Sequence, residues 1–106
     1  MTAMDIDSTT MVMVIKIAVA AESRVTVLEI DSTDRRGRKV SAARHLAQYL
    51  VRTNTTLSYP RIGVLFNADP SSVRYAMKKM AVVLKTNSSL ANLCAAISSR
   101  INCMKG

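Results

Sequence analysis

Residues 57–84 read LSYPRIGVLFNADPSSVRYAMKKMAVVL, and this stretch decides the fold, because it predicts two short helices joined by a tight corner. Ser58 stands at an N-cap position, and Pro60 lies in the first turn, where a missing N–H costs nothing. Leu57 and Ile62 occupy the two positions of a hydrophobic staple. Ile62, Leu65 and Phe66 fall at i, i+3 and i+4 and share one face, with Gly63 beside it to admit a close neighbour. Asn67-Ala68-Asp69 breaks the periodicity. Asp69 then offers a carboxylate cap and Pro70 a first helical residue, after which Val73, Ala76, Met77, Met80 and Leu84 line one side of the second helix. Its opposite side presents Ser71, Arg74 and Lys78 in one row and Ser72, Tyr75 and Lys79 in the next. Two helices, a three-residue turn and a basic second helix describe a helix-turn-helix; by pattern alone an ordinary helical hairpin with a solvated polar face fits as well.

Charge moves the balance. The chain has 106 residues, enough for one small domain with a single helical core, and a formal net charge of +8. Between Arg35 and Lys85 there are eleven Lys or Arg residues and one acid, Asp69, whereas the first 34 residues hold six acids and two basic residues. A solvated surface normally mixes the signs, so this one-sided segment points to a polyanionic partner, for which nucleic acid is a commoner explanation than a membrane surface or an acidic protein. Cys94 and Cys103 form no CxxC and lie far from His45, which argues against zinc; two unpaired thiols suit a reduced, cytoplasmic setting, with Cys94 packing as a small apolar residue. The apolar run Met11 to Ala21 contains Lys16, is too short to span a bilayer and follows acidic residues, so neither a membrane span nor a secretory signal is expected.

Along the chain, residues 1–7 are expected to fray. Ser8, Thr9 or Thr10 can cap a helix to about Ala21 with Met11, Val14, Ile15 and Ala18 inward; periodicity does not exclude a strand in this β-branched run, and helical neighbours tip the reading to helix. Arg24 to Ile30 suits two helical turns, ended by Asp31-Ser32-Thr33-Asp34. Arg35-Arg36-Gly37-Arg38-Lys39 reads as a flexible basic loop, either solubilising or suited to a narrow, electronegative minor groove. Val40 to about Asn54 is a helix with Val40, Ala43, Leu46, Ala47, Leu50 and Val51 inward; Arg44, Gln48 and Arg52 form a row on its other side, with His45 adjacent as a partly exposed surface residue. Thr53 to Thr56 make the exit loop. Asn87, Ser88 or Ser89 caps a last helix to about Ile101, with Leu90, Leu93, Ile97 and Ile101 as its stripe, and Asn102 to Gly106 are expected to fray.

The basic loop, then RKVSAARHLAQYLVR, then S-x-P-x-I-G-x-x-F, then a D-x-S-S-V helix ending in KKM, resembles the C-terminal DNA-binding domain of the bacterial replication initiator DnaA. The likeness covers about residues 10 to 103 in helix order and is strongest over 35 to 80. It implies an all-α fold of five to six helices that binds short duplex DNA boxes, with the second helix of the helix-turn-helix (about 58–84) in the major groove and an arginine of the basic loop in the minor groove. Position by position, it makes Arg36 the minor-groove arginine, with Arg35, Arg38 and the adjoining Lys39 near phosphates. Arg44, His45 and Arg52 match positions that approach the duplex, and Ser58, Tyr59 and Pro60 match a segment touching the backbone. Asp69, Pro70, Ser71 and Ser72 match the base-reading signature, and Lys79 matches a phosphate-binding lysine; Arg74 and Lys78 share that exposed basic face.

Two departures bear on specificity. The family usually has Asp-His-Thr-Thr where this chain has Asp69-Pro70-Ser71-Ser72, so a base-reading histidine gives way to a proline that donates nothing, and the serines lack the methyls that contact thymine. The turn is also one residue shorter, with Asn67-Ala68 where a Gly-Gly-Arg type of sequence is common. DNA binding is expected to survive, and recognition of the usual initiator box to be altered or lost. No G-x-x-x-x-G-K-[ST] loop is present, so the expectation is a free-standing module, a regulator or initiator-like protein without the family's ATPase domain. RNA binding and a protein-interaction module with an acidic partner remain alternatives, though stacking aromatics are scarce. Enzymatic activity, a cofactor and a small-molecule substrate are not expected: Asp69 is isolated among cations, and His45 has no orienting partner in sequence.

Overall fold

The computed structural model describes residues 8–32 and 37–104. Its elements are α1 (Ser8–Ser23), α2 (Val27–Asp31), α3 (Arg38–Asn54), α4 (Tyr59–Phe66), α5 (Pro70–Thr86) and α6 (Ser88–Met104), with no strand among the described residues. The arrangement is all-α, as expected. α3 is the hub, touching each of the other five helices, and its Leu46, Ala47, Leu50 and Val51 are buried against Ile15, Ile30, Ile62, Phe66, Val73 and Ile101.

Several boundaries shift for identifiable reasons. Thr26 starts α2 through a reciprocal capping box with Glu29, later than Arg24, which adopts a left-handed φ of 58° at the end of α1. Gly37, with φ 95°, launches α3 directly, so Arg38 and Lys39 belong to its first turn and not to a loop. At the other end, Thr53 and Asn54 stay helical and bond back to the Tyr49 and Leu50 carbonyls. α6 begins with the Asn87 side chain accepting from Leu90 N–H at 3.0 Å and continues to Met104, beyond the expected fraying point at Asn102. α5 and α6 bend by 116° at this junction. No single helix among the described residues is long and apolar enough to cross a membrane.

The buried face of α1 is rotated from the expected one. Met11, Val12, Ile15, Lys16, Val19 and Ala20 are buried, while Val14 and Ala18 are half-buried. Lys16, 4% exposed, lies on the inner side. Its Nζ is 2.6 Å from Asp31 Oδ1 on α2, donates to the Leu65 carbonyl of α4 at 2.6 Å, and sits 4.6 Å from the Phe66 ring centroid. Burying an ammonium costs several kcal/mol unless it is paired, as here it is, by a carboxylate, the negative end of a helix and an aromatic face.

The α4–α5 corner is a Schellman motif. Asn67 takes the left-handed φ of 55°, Ala68 N–H reaches the Gly63 carbonyl at 2.8 Å, Asn67 N–H reaches the Val64 carbonyl at 3.4 Å, and Asn67 Nδ2 donates to the Asp31 carbonyl at 3.0 Å. A Cβ on Gly63 would collide with the Ala68 carbonyl oxygen, which belongs to backbone. Gly63→Ala is therefore expected to destabilise by about 1–3 kcal/mol, despite a helix-propensity gain of about 1 kcal/mol, and thermal unfolding should show a lowered midpoint.

Candidate nucleic-acid interface

Ser58 caps α4 by accepting from Arg61 N–H at 3.3 Å, which fixes where the helix begins and hence where Gly63 meets the corner. The corner delivers α5 with Val73, Ala76 and Met80 buried and Ser71, Ser72, Arg74, Tyr75, Lys78 and Lys79 exposed. Pro70 heads this helix. Asp69 occupies its N-cap position, but the carboxylate makes no capping bond; the backbone carbonyl of Asp69 accepts from Ser72 and Val73 instead. The expected carboxylate cap is thus corrected: the backbone of Asp69 holds the N-cap position, while its exposed carboxylate, open to solvent, bonds to no α5 N–H.

An open groove of about 1250 Å³ separates the start of α5 from α3. Arg38, Arg44, His45 and Gln48 form one wall, and Asp69, Ser71, Ser72, Tyr75 and Lys79 the other. The structure therefore brings together seven of the site residues expected from sequence: Arg38, Arg44, His45, Asp69, Ser71, Ser72 and Lys79. Arg52, Tyr59 and Arg74 gather elsewhere, and Lys39, Lys78 and Pro60 are exposed away from the groove lining. Arg35 and Arg36 lie outside the described residues.

The row Arg44-Gln48-Arg52, expected on the outer side of α3, faces other helices. Gln48 is 1% exposed and its Oε1 has no hydrogen-bond partner among the described residues. Arg44 donates from Nε to the Ile30 carbonyl at 2.8 Å and from Nη2 to the Glu29 carbonyl at 3.0 Å, so its guanidinium covers the C-terminal end of α2. Arg52 Nη1 similarly donates to the Leu57 carbonyl at 2.6 Å. Tyr75, Ser41 and Asn67 are groove residues missed as site candidates. For Ser41 a signal existed: 41, 44, 45 and 48 share one face of α3.

His45 meets Tyr75 edge to face, with ring centroids 5.7 Å apart, and Lys79 lies 5.8 Å from the Tyr75 ring. Burial pushes the His45 pKa below 6.5, and the positive charges of Lys79 and Arg44 push it further the same way. Away from the groove, burial raises the Cys94 thiol. Among the described residues no three His, Cys, Asp or Glu side chains gather as a metal site.

The family described as bacterial dnaA protein helix-turn-helix matches residues 12–80. The chromosomal replication initiator protein DnaA of Picosynechococcus sp. is 41% identical over 86 residues, covering 79% of this chain and 19% of that protein. The DnaA protein of Clavibacter sepedonicus is 40% identical over 83 residues, covering 77% of this chain and 17% of that protein. That of Leifsonia xyli subsp. xyli is 42% identical over 67 residues, covering 62% and 14%. The chain thus spans less than a fifth of the length of these curated relatives.

Because the unfolded chain takes up a proton on His45 before the folded chain does, stability should fall as pH drops below 6.5, levelling off once the folded pKa is passed. Thermal unfolding across pH 4.5 to 8 should show this dependence weakened in His45→Gln.

Proposed function

The chain belongs to the bacterial DnaA helix-turn-helix family, and on that premise we propose that it binds double-stranded DNA with sequence preference, as a regulator or an initiator-like module. The observation that carries this reading is the exposed face of α5, where Ser71, Ser72 and Lys79 line a groove walled by α3 while Arg74 and Lys78 stand exposed outside it. A helix of this kind fits the major groove with its first residues at base edges. Ser71 and Ser72 would meet bases or phosphates. Asp69, whose carboxylate caps nothing, would accept from an exocyclic amino group such as that of cytosine. Lys79 and Arg38, from opposite walls, would meet phosphates of the two strands, and Arg36, carried by the family resemblance, would enter the minor groove. The Arg44 guanidinium supports the fold beneath this surface and contributes mainly as a nearby charge.

Specificity should differ from that of the usual initiator box. Pro70 has no donor to offer a base, and the serines leave no methyl against thymine. A selection from a random duplex library is the decisive experiment. It should return a defined motif, and recovery of unenriched sequence from a folded protein would overturn the reading.

If about five to seven phosphates are neutralised, log K should fall with log salt at a slope of roughly −4 to −6 in anisotropy titrations. Arg36→Ala should cost about 1–3 kcal/mol and relax preference at one edge of the selected site; equal loss on all sequences would make Arg36 a phosphate contact.

A further inference from the structure

Arg52, Tyr59 and Arg74 come from α3, α4 and α5 and meet outside the groove. The Arg52 Cζ lies 4.6 Å from the Tyr59 ring centroid and the Arg74 Cζ 5.2 Å from it. Neither guanidinium has a carboxylate within ion-pair distance among the described residues. Arg52 is additionally tethered to the Leu57 carbonyl, and Tyr59 is fixed as the first residue of a helix capped by Ser58. Arg74 follows Ser71 by three residues on α5, so this cluster adjoins the base-facing end of that helix.

We propose that Tyr59 is a positioning residue whose ring holds Arg52 and Arg74 as a two-armed clamp for the phosphodiester backbone of a duplex, outside the groove described above. This rests on the DNA-binding reading and adds to it the device that orders the two arginines, the ring shared between them. Two like charges on different helices have little reason to converge unless something offsets their repulsion, and the electron-rich Tyr59 ring between them supplies part of that. An arginine side chain has many rotamers, so one already stacked on a ring loses less freedom on meeting a phosphate than one waving in solvent. The tyrosine hydroxyl is not needed for this. The aromatic face is.

Anisotropy titrations of the full chain against the duplex recovered by selection, each at several salt concentrations, test the clamp. Arg74 is exposed and has no internal hydrogen bond in the structure, so Arg74→Gln is the clean probe. It should shrink the magnitude of the salt slope by about 1. Tyr59→Leu, compared at a temperature where circular dichroism shows it folded, should weaken binding by about threefold to tenfold, and Tyr59→Phe should restore what Tyr59→Leu loses. The double variant Tyr59→Leu/Arg74→Gln should bind within about twofold of the weaker single variant, because both changes disable one unit. The proposal is overturned if Tyr59→Phe is as weak as Tyr59→Leu, if the two losses multiply, or if Tyr59→Leu binds as the wild type does. Failure of the wild type itself to bind any duplex at low salt would instead remove the DNA-binding reading beneath it.

Discussion

The approach of two backbone segments, with no side chain between them, sets the geometry of this domain. At Gly63 the chain of α4 comes against the Ala68 carbonyl of the returning turn, and a hydrogen bond from Ala68 N–H to the Gly63 carbonyl closes the same corner from the other direction. Only a residue without a Cβ fits there. That contact fixes the angle at which α5 leaves α4, and hence which residues of α5 are buried and which are offered to a partner. The short connection Asn67-Ala68 is closed because Asn67 adopts the left-handed conformation and ties its amide to the Asp31 carbonyl.

Charge is sorted around that corner. Of the acids the structure describes, Glu22 is exposed near the end of α1, Asp31 is drawn inward to Lys16, Glu29 is engaged with Thr26, and Asp69 stands at the head of a cationic helix. Clustered cations without partners are costly to a compact state in isolation, and the cost falls when a polyanion supplies the missing charge. The asymmetry thus has a functional sense that a stability argument alone would not give it. His45, half-buried beside Tyr75, resists protonation first through that burial and then through the charges of Lys79 and Arg44.

Much of this was legible in the chain because local signals and tertiary packing agree. Ser58 caps where its side chain predicts, the stripe Val73, Ala76 and Met80 is buried, and Ile97 and Ile101 close the core. Lys16 was not legible for a physical reason: a lysine in an apolar run is assigned outward by default, which turns the predicted face of α1 away from Val12 and Val19. Gln48 failed in the same way, since a polar residue midway between two arginines reads as exposed when a neighbouring helix in fact covers it. The roles of Arg44 and Arg52 in tying down carbonyls depend on contacts across 14 and 5 residues of sequence, which no local spacing encodes. Asp69 shows the converse case, a cap signature whose backbone is in place while its side chain makes no capping bond.

Lys16 has a mechanical consequence. Its ammonium, nearly out of reach of water, joins the middle of α1 to the Leu65 carbonyl of α4 and to Asp31 at the end of α2. The first helix is therefore not adjustable apart from α2 and α4; whatever grips or twists α1 pulls on the helix whose Gly63 corner leads into α5, as a handle turns a key.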